Sequence, residues 1–190
     1  MFSADADLFF WPPRVEIGTR NWFGVLYLLR RDIDLCMGIH PTTGQPVGYR
    51  AEWPGAMTML AGIDLLAKFL AGSDDKGKVG ERFCNFLERF FTGISPGDRD
   101  VIYQLRNSLL HSFGLYSKGG GKIYRFFLTG HGSGALVSHT PPEQYNVDLR
   151  VLHREFERAV TTYQAELGSD PQLQTNFAAM FGNYGRIYIG

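Results

Sequence analysis

The stretch Val101-Ile102-Tyr103-Gln104-Leu105-Arg106-Asn107-Ser108-Leu109-Leu110-His111-Ser112-Phe113 decides how this chain is read. At about 100° per residue, Val101, Ile102, Leu105, Leu109 and Phe113 fall on one apolar stripe, so the segment predicts an amphipathic helix. Asn107 lies opposite that stripe, with Arg106 on one side and His111 on the other. A helix with only one buried face normally turns Glu and Lys outward. Here Tyr103, Arg106, Asn107, Leu110 and His111 occupy the outer positions, a mixture suited to a second buried or half-buried surface. Five residues separate Arg106 from His111, so the two diverge by about 140° around the helix, and one helix frames a groove rather than closing on a phosphate.

The same helical period recurs on both sides of this segment. Trp22, Leu26, Leu29, Ile33 and Cys36 predict a helix over 19–37, stopped by Gly38 and Pro41. Ala56, Met59, Leu60, Ile63, Leu66, Ala67 and Leu70 predict a second over 53–71, with Asp64 and Lys68 as an i,i+4 pair on another face. Val79, Phe83, Phe86, Leu87 and Phe90 predict a third over 78–91. The helix of the opening motif is the fourth, starting near Asp98 after Ser95-Pro96-Gly97. Leu149, Leu152, Phe156, Ala159 and Tyr163 predict a fifth over 149–167, and a short helix follows over 171–181, ahead of a tail from 183 to 190.

Between the fourth and fifth helices the period changes. Gly119-Gly120-Gly121 and the Gly-rich run at 130–134 bracket Lys122 to Thr129, which is rich in Ile, Tyr and Phe. This predicts a hairpin or small meander over about 115–138, closed by Pro141-Pro142. The fold class is therefore mainly α, a bundle of about five helices with a small Gly-rich β insertion. Residues 1–18 read as an arm with a sticky Leu8-Phe9-Phe10-Trp11 segment, 19–168 as a single helical domain, and 169–190 as a short helix and tail.

Composition narrows the function classes. The 190 residues carry 19 basic and 19 acidic side chains, so no overall basic field draws the chain to nucleic acid, and any phosphate site must be local. Cys36 and Cys84 give no disulfide framework. Asp5 and Asp7 stand where an export signal would carry Lys or Arg, and the apolar runs read as too short to span a bilayer, which predicts a cytoplasmic protein without a membrane partner.

Several motifs have plain explanations. Gly72 to Lys78 matches a P-loop in spacing, but Val79 replaces the magnesium-binding Ser or Thr, and Asp74 and Asp75 would repel phosphate. Around Ser133, His131 and Ala135 stand where a nucleophile elbow needs its two glycines. His131, His139 and His153 lack zinc-site spacing, so neither metal nor cofactor is expected. Asp98 and Asp100 suit the start of the fourth helix. Arg150, Arg154 and Arg158 line up on the fifth helix; Arg150 and Arg154 are candidates to meet phosphate, although Glu157 among them favours a solvated, partly self-paired face.

Arg followed by His after four to six residues is common, and Arg125 with His131 repeats it. The tighter pattern Arg-Asn-x-x-x-His, met by Arg106, Asn107 and His111, is rare by chance. It resembles the HEPN superfamily, whose helical-bundle domains carry this motif on a late helix; Val79-Gly80-Glu81-Arg82-Phe83 is also similar to uncharacterised bacterial members. The resemblance covers about residues 19–113, leaving out the β insertion and the tail. It implies a metal-independent endoribonuclease whose site forms where two copies meet, with RNA and an antitoxin or other regulatory protein as further partners. It equally accommodates members that only bind RNA, a nucleotide or a protein.

The residue types suit that chemistry. Metal-free RNA cleavage needs a base near neutral pH for the 2′-OH proton, which an imidazole provides. A guanidinium offers two parallel donors to the charge growing on the phosphoryl oxygens. His111 is thus expected as acid or base, Arg106 as cation and Asn107 as orienter, with Tyr103 and Leu110 at the binding surface. The competing reading makes Arg106 and His111 ordinary polar contacts between helices.

Overall fold

The computed structural model describes residues 4–13, 21–132, 134–140 and 142–190. Among them are seven α-helices and six short strands, so the chain is mainly α with two sheets. The helices are α1 (Ala4–Phe9), α2 (Val25–Cys36), α3 (Glu52–Ala71), α4 (Val79–Phe90), α5 (Pro96–Ser112), α6 (Leu149–Leu167) and α7 (Pro171–Tyr184). The strands are β1 (Trp22–Gly24), β2 (Tyr116–Gly119), β3 (Lys122–Thr129), β4 (Val137–Thr140), β5 (Gln144–Asp148) and β6 (Arg186–Tyr188).

Helix α3 is the hub, packing against α2, α4, α5, α6 and α7. Met59, Leu60, Ile63 and Leu66 are fully buried along it. Its 20 residues and mean hydropathy of 1.3 meet the length and composition of a membrane-crossing helix, contrary to the expectation that every apolar run is too short. Half of that span is buried inside the fold, which accounts for its greasiness as core. The Asp64–Lys68 pair expected on it does not form. Asp64 turns to Arg106 of α5, while Lys68 reaches Asp74 at 3.1 Å beyond the helix end.

Helix boundaries follow local chemistry. Ser95 caps α5 by accepting from the Asp98 amide, and Pro96 sits at its first position, where the missing N–H costs nothing. Asp148 caps α6 through the amides of Arg150 and Val151, and Asp170 caps α7 through those of Gln172 and Leu173.

The N-terminal segment is not a free arm. Phe9 and Phe10 are buried, with Phe9 against Phe69 at 4.5 Å and Phe10 against Tyr163 at 6.0 Å between ring centroids. Burying two such rings contributes about 3–6 kcal/mol, too much for a loosely held docking tag. Residues 1–3 and 14–18 of the expected arm lie outside the described residues.

The first expected helix, 19–37, divides: Trp22 to Gly24 is strand β1, and the helix begins only at Val25. Trp22 is half exposed instead of joining the core stripe. Residues 19 and 20 lie outside the described residues. The expected tail also joins the structure, since β6 pairs antiparallel with β1, setting Phe23 opposite Ile187.

The β insertion is larger than a hairpin and is not a meander. Its four strands run in the order β2-β3-β5-β4 and extend to Asp148, with β3 and β5 parallel. The alternation Gln144-Tyr145-Asn146-Val147 is strand-like, with polar and apolar side chains on opposite faces. Pro142 sits in the turn before β5 rather than ending the sheet; Pro141 lies outside the described residues. Tyr124, Phe126 and Val147 face the helices and are buried, whereas Tyr116, Arg125 and Phe127 face outward.

Candidate functional site

Helix α5 positions all three motif side chains, and α3 supplies a fourth that the motif does not contain. Arg106 points toward α3 and is only 8 % exposed. Its Nη2 donates to Asp64 Oδ2 at 2.6 Å, and its Nη1 donates to Asn107 Oδ1 at 3.1 Å. The same Nη1 lies 2.6 Å from Nε2 of His111. His111 itself is exposed, in the last turn of the helix.

The 140° between Arg106 and His111 around the helix does not keep the two side chains apart. Backbone angle alone separates them, but a long arginine lying along the helix axis reaches the imidazole one and a half turns on. The outward placement of Arg106 is wrong. Its pull toward the interior is Asp64, a carboxylate set among the apolar residues of α3. A buried carboxylate without a cation would cost several kcal/mol, so the helices are held in the register that pairs them. The pair is monodentate: Arg106 Nε and Asp64 Oδ1 are buried without hydrogen-bond partners among the described residues.

This geometry fixes the imidazole's proton. A guanidinium only donates, so Nε2 of His111 accepts, and the neutral ring carries its proton on Nδ1. The cluster thus combines a carboxylate, a guanidinium matched to it, an amide and a neutral imidazole at the surface. It can present the ring Nδ1–H at once as a hydrogen-bond donor. It presents a ring lone pair only after the imidazole leaves Arg106.

The other expected site residues divide. Leu110 is half-buried beside His111. Tyr103 turns to α4, its ring 5.7 Å from Phe83 and lying over Gly80, in a cleft shared with Glu81, Cys84, Asp100 and Tyr124. Phe113 leaves the core stripe: it ends α5 in a left-handed conformation, φ 48°, and is 70 % exposed.

Arg150 and Arg154 do not join the cluster. Arg154 donates to the carbonyl of Gly132 and shares a cleft with Asp98, in the first turn of α5. His111 is in the last turn, about 20 Å further along the axis. Arg150 lays its stem against Gly132. Arg158 bonds Glu155 and the carbonyl of Phe90, while Glu157 pairs across to Arg30 of α2 rather than with its arginine neighbours. No cluster of three or more His, Cys, Asp or Glu suited to a metal occurs among the described residues.

Asp64 is the member of the cluster that the motif does not reveal. Its signal in the sequence is a carboxylate in the middle of the most hydrophobic helix, and Lys68, four residues on, masks it by offering a nearer cation. Comparison with protein-family models, curated proteins and solved structures gives no match.

Proposed function

We propose that this chain is a HEPN-like, metal-independent endoribonuclease acting as a homodimer, with His111 transferring the protons. The observation that carries the reading is the exposed imidazole of His111, held at 2.6 Å by a guanidinium that Asp64 and Asn107 anchor from behind. Such anchoring presets the orientation of a side chain that must meet a phosphodiester.

In this mechanism the 2′-oxygen attacks phosphorus, forming the 2′-O–P bond as the P–O5′ bond breaks. One neutral imidazole takes the 2′-OH proton, and a second, freed from its arginine and protonated to imidazolium, gives a ring proton to the departing 5′-oxygen. The products are a 2′,3′-cyclic phosphate and a 5′-hydroxyl. One chain offers one His111, so a second copy supplies the other. Half-buried Leu110 beside His111 is a suitable point for that contact. Arg106 releases Nε2 when phosphate arrives and turns the freed Nη1 donors to the phosphoryl oxygens.

A second reading has its own support. Asp64 already neutralises Arg106, so the same fold would serve as a non-catalytic dimeric module whose polar cluster only locks α5 onto α3. One experiment separates the two. Purified protein is incubated with mixed RNA in excess EDTA beside His111→Ala, with products resolved by length and end group. The ribonuclease reading expects cyclic-phosphate products at least a hundredfold slower in the variant, in keeping with loss of a general acid–base. Equal rates across several RNAs would leave the binding module. Light scattering supplies the companion result, a dimer for either reading.

A further inference from the structure

We infer that the outward face of the β2-β3-β5-β4 sheet is a stacking platform for single-stranded RNA, lying next to His111. This rests on the ribonuclease reading for its choice of nucleic acid, and it goes further by naming the form of RNA and the residues that hold it.

The register defines the face. Tyr116 is paired with Arg125, so both point to the same side, and Phe127 follows two residues later on that side. Tyr116 is 45 % and Phe127 49 % exposed, whereas Tyr124 and Phe126 between them are buried on the opposite side. Diagonal neighbours of this kind stand about 7 Å apart, close enough for two rings to take successive bases. Isolated exposed rings are ordinary on protein surfaces. Two on adjacent strands of one sheet face are a pair, and the register sets them side by side.

Charge and hydrogen-bonding groups agree with a nucleic acid. Lys118 lies on the same face, with its ammonium 5.9 Å from the Tyr116 ring. Arg125 is half exposed and bonds Glu143 at 2.9 Å from the turn before β5. Across the sheet, Gln144 pairs with Arg125 and Asn146 with Phe127, bringing two side-chain amides to this side, with Ser138 and Thr140 of β4 beyond them. The carboxylates on this side are Glu143, paired with Arg125, and Asp148, which stands opposite Thr129, is buried and caps α6. Rings flanked by cations and backed by amides are what unstacked bases and their phosphates need. A duplex offers no base faces to such a surface.

The platform is a short length of chain from the cluster. His111 and Tyr116 are five residues apart, at most about 17 Å of chain, so a strand of a few nucleotides reaches from the rings to the imidazole. The sheet, which lies outside the residues that resemble HEPN domains, would then hold the substrate strand on one side of the cleavage point.

The test is fluorescence anisotropy with a 12-nucleotide unstructured RNA, fully 2′-O-methylated so that it cannot be cleaved, beside the same strand in duplex form. Wild type is compared with Tyr116→Ala, Phe127→Ala, the double variant and Phe127→Trp. The expected result is preference for the single strand, about fivefold or greater weakening for each alanine, and retained binding for the tryptophan. Unchanged affinity in the double variant overturns the platform even if His111-dependent cleavage is found. Single-strand binding lost with the rings, in a protein that cleaves nothing, upholds the platform while ending the ribonuclease reading. Equal binding of duplex, or a dimer that the double variant breaks without change in RNA affinity, assigns the face to another occupant and also overturns it.

Discussion

Asp64 determines how the motif side chains are used. With Arg106 only 8 % exposed, removing the carboxylate's charge strands a guanidinium inside the protein. Asp64→Asn is expected to cost about 3 kcal/mol, as for other broken buried pairs, and urea unfolding measures it directly. A second polar cluster gives a pH signature. Tyr184 donates to Asp74 at 2.5 Å, and this bond, ahead of the nearby Lys68 and Arg82, holds the Asp74 carboxyl below its ordinary 3.8. The same bond raises the Tyr184 hydroxyl above its ordinary 10.0. A carboxyl lowered on folding stabilises above its unfolded value and loses that contribution as pH falls through the folded one. A phenol raised on folding stabilises below its unfolded value and loses it as pH rises through the folded one. Tyr184→Phe should therefore be less stable than wild type at neutral pH, with the difference narrowing in acid and again in alkali. Unfolding curves from about pH 2.5 to 11 would show a constant difference if the bond contributed nothing.

Long periodic elements are legible from residues alone, and short ones are not. Helix α6 runs from Leu149 to Leu167 as its spacing predicts, and α3 and α4 begin or end within a residue or so of expectation. Their burial pattern repeats over several turns, which fixes period and face together. Strand β1 has three residues, too few for any period, and it exists because β6 arrives from the far end of the chain. Gly24 closes that junction. A Cβ there would sit 2.2 Å from the carbonyl oxygen of Leu8, so α1 can pack over it only if it is glycine. Gly24→Ala is expected to destabilise by about 2 kcal/mol, the usual cost of forcing atoms into a filled contact, visible as a lowered melting temperature. Strand β5 is hidden for another reason: its alternation is present, but the proline pair ahead of it mimics the end of a sheet. The cluster stands between these cases. Arg106, Asn107 and His111 are visible as a motif, while their closure onto Asp64 depends on the register of two helices, which spacing along one helix cannot supply.

At the scale of the molecule, the organisation is radial around α3, which touches five other helices. Amides of such a central element exchange with solvent only when the whole fold opens, whereas β1 and β6 are free to fray. Hydrogen–deuterium exchange should therefore find the slowest amides in 59–67 and fast ones in 22–24 and 186–188; protection spread evenly over the chain would contradict this arrangement. The radial plan also makes the fold class easy to read and the sheet hard, because helices announce their buried face locally while parallel β3 and β5 are joined only through a long detour. It has a cost during biosynthesis. Translated at about 5–20 residues per second, the chain needs about 6–23 s after completing α3 to finish α7, its last helical cover. Throughout that interval a greasy twenty-residue rod hangs from the ribosome with part of its wrapping unmade, which gives trigger-type chaperones and membrane-targeting factors a window to seize it.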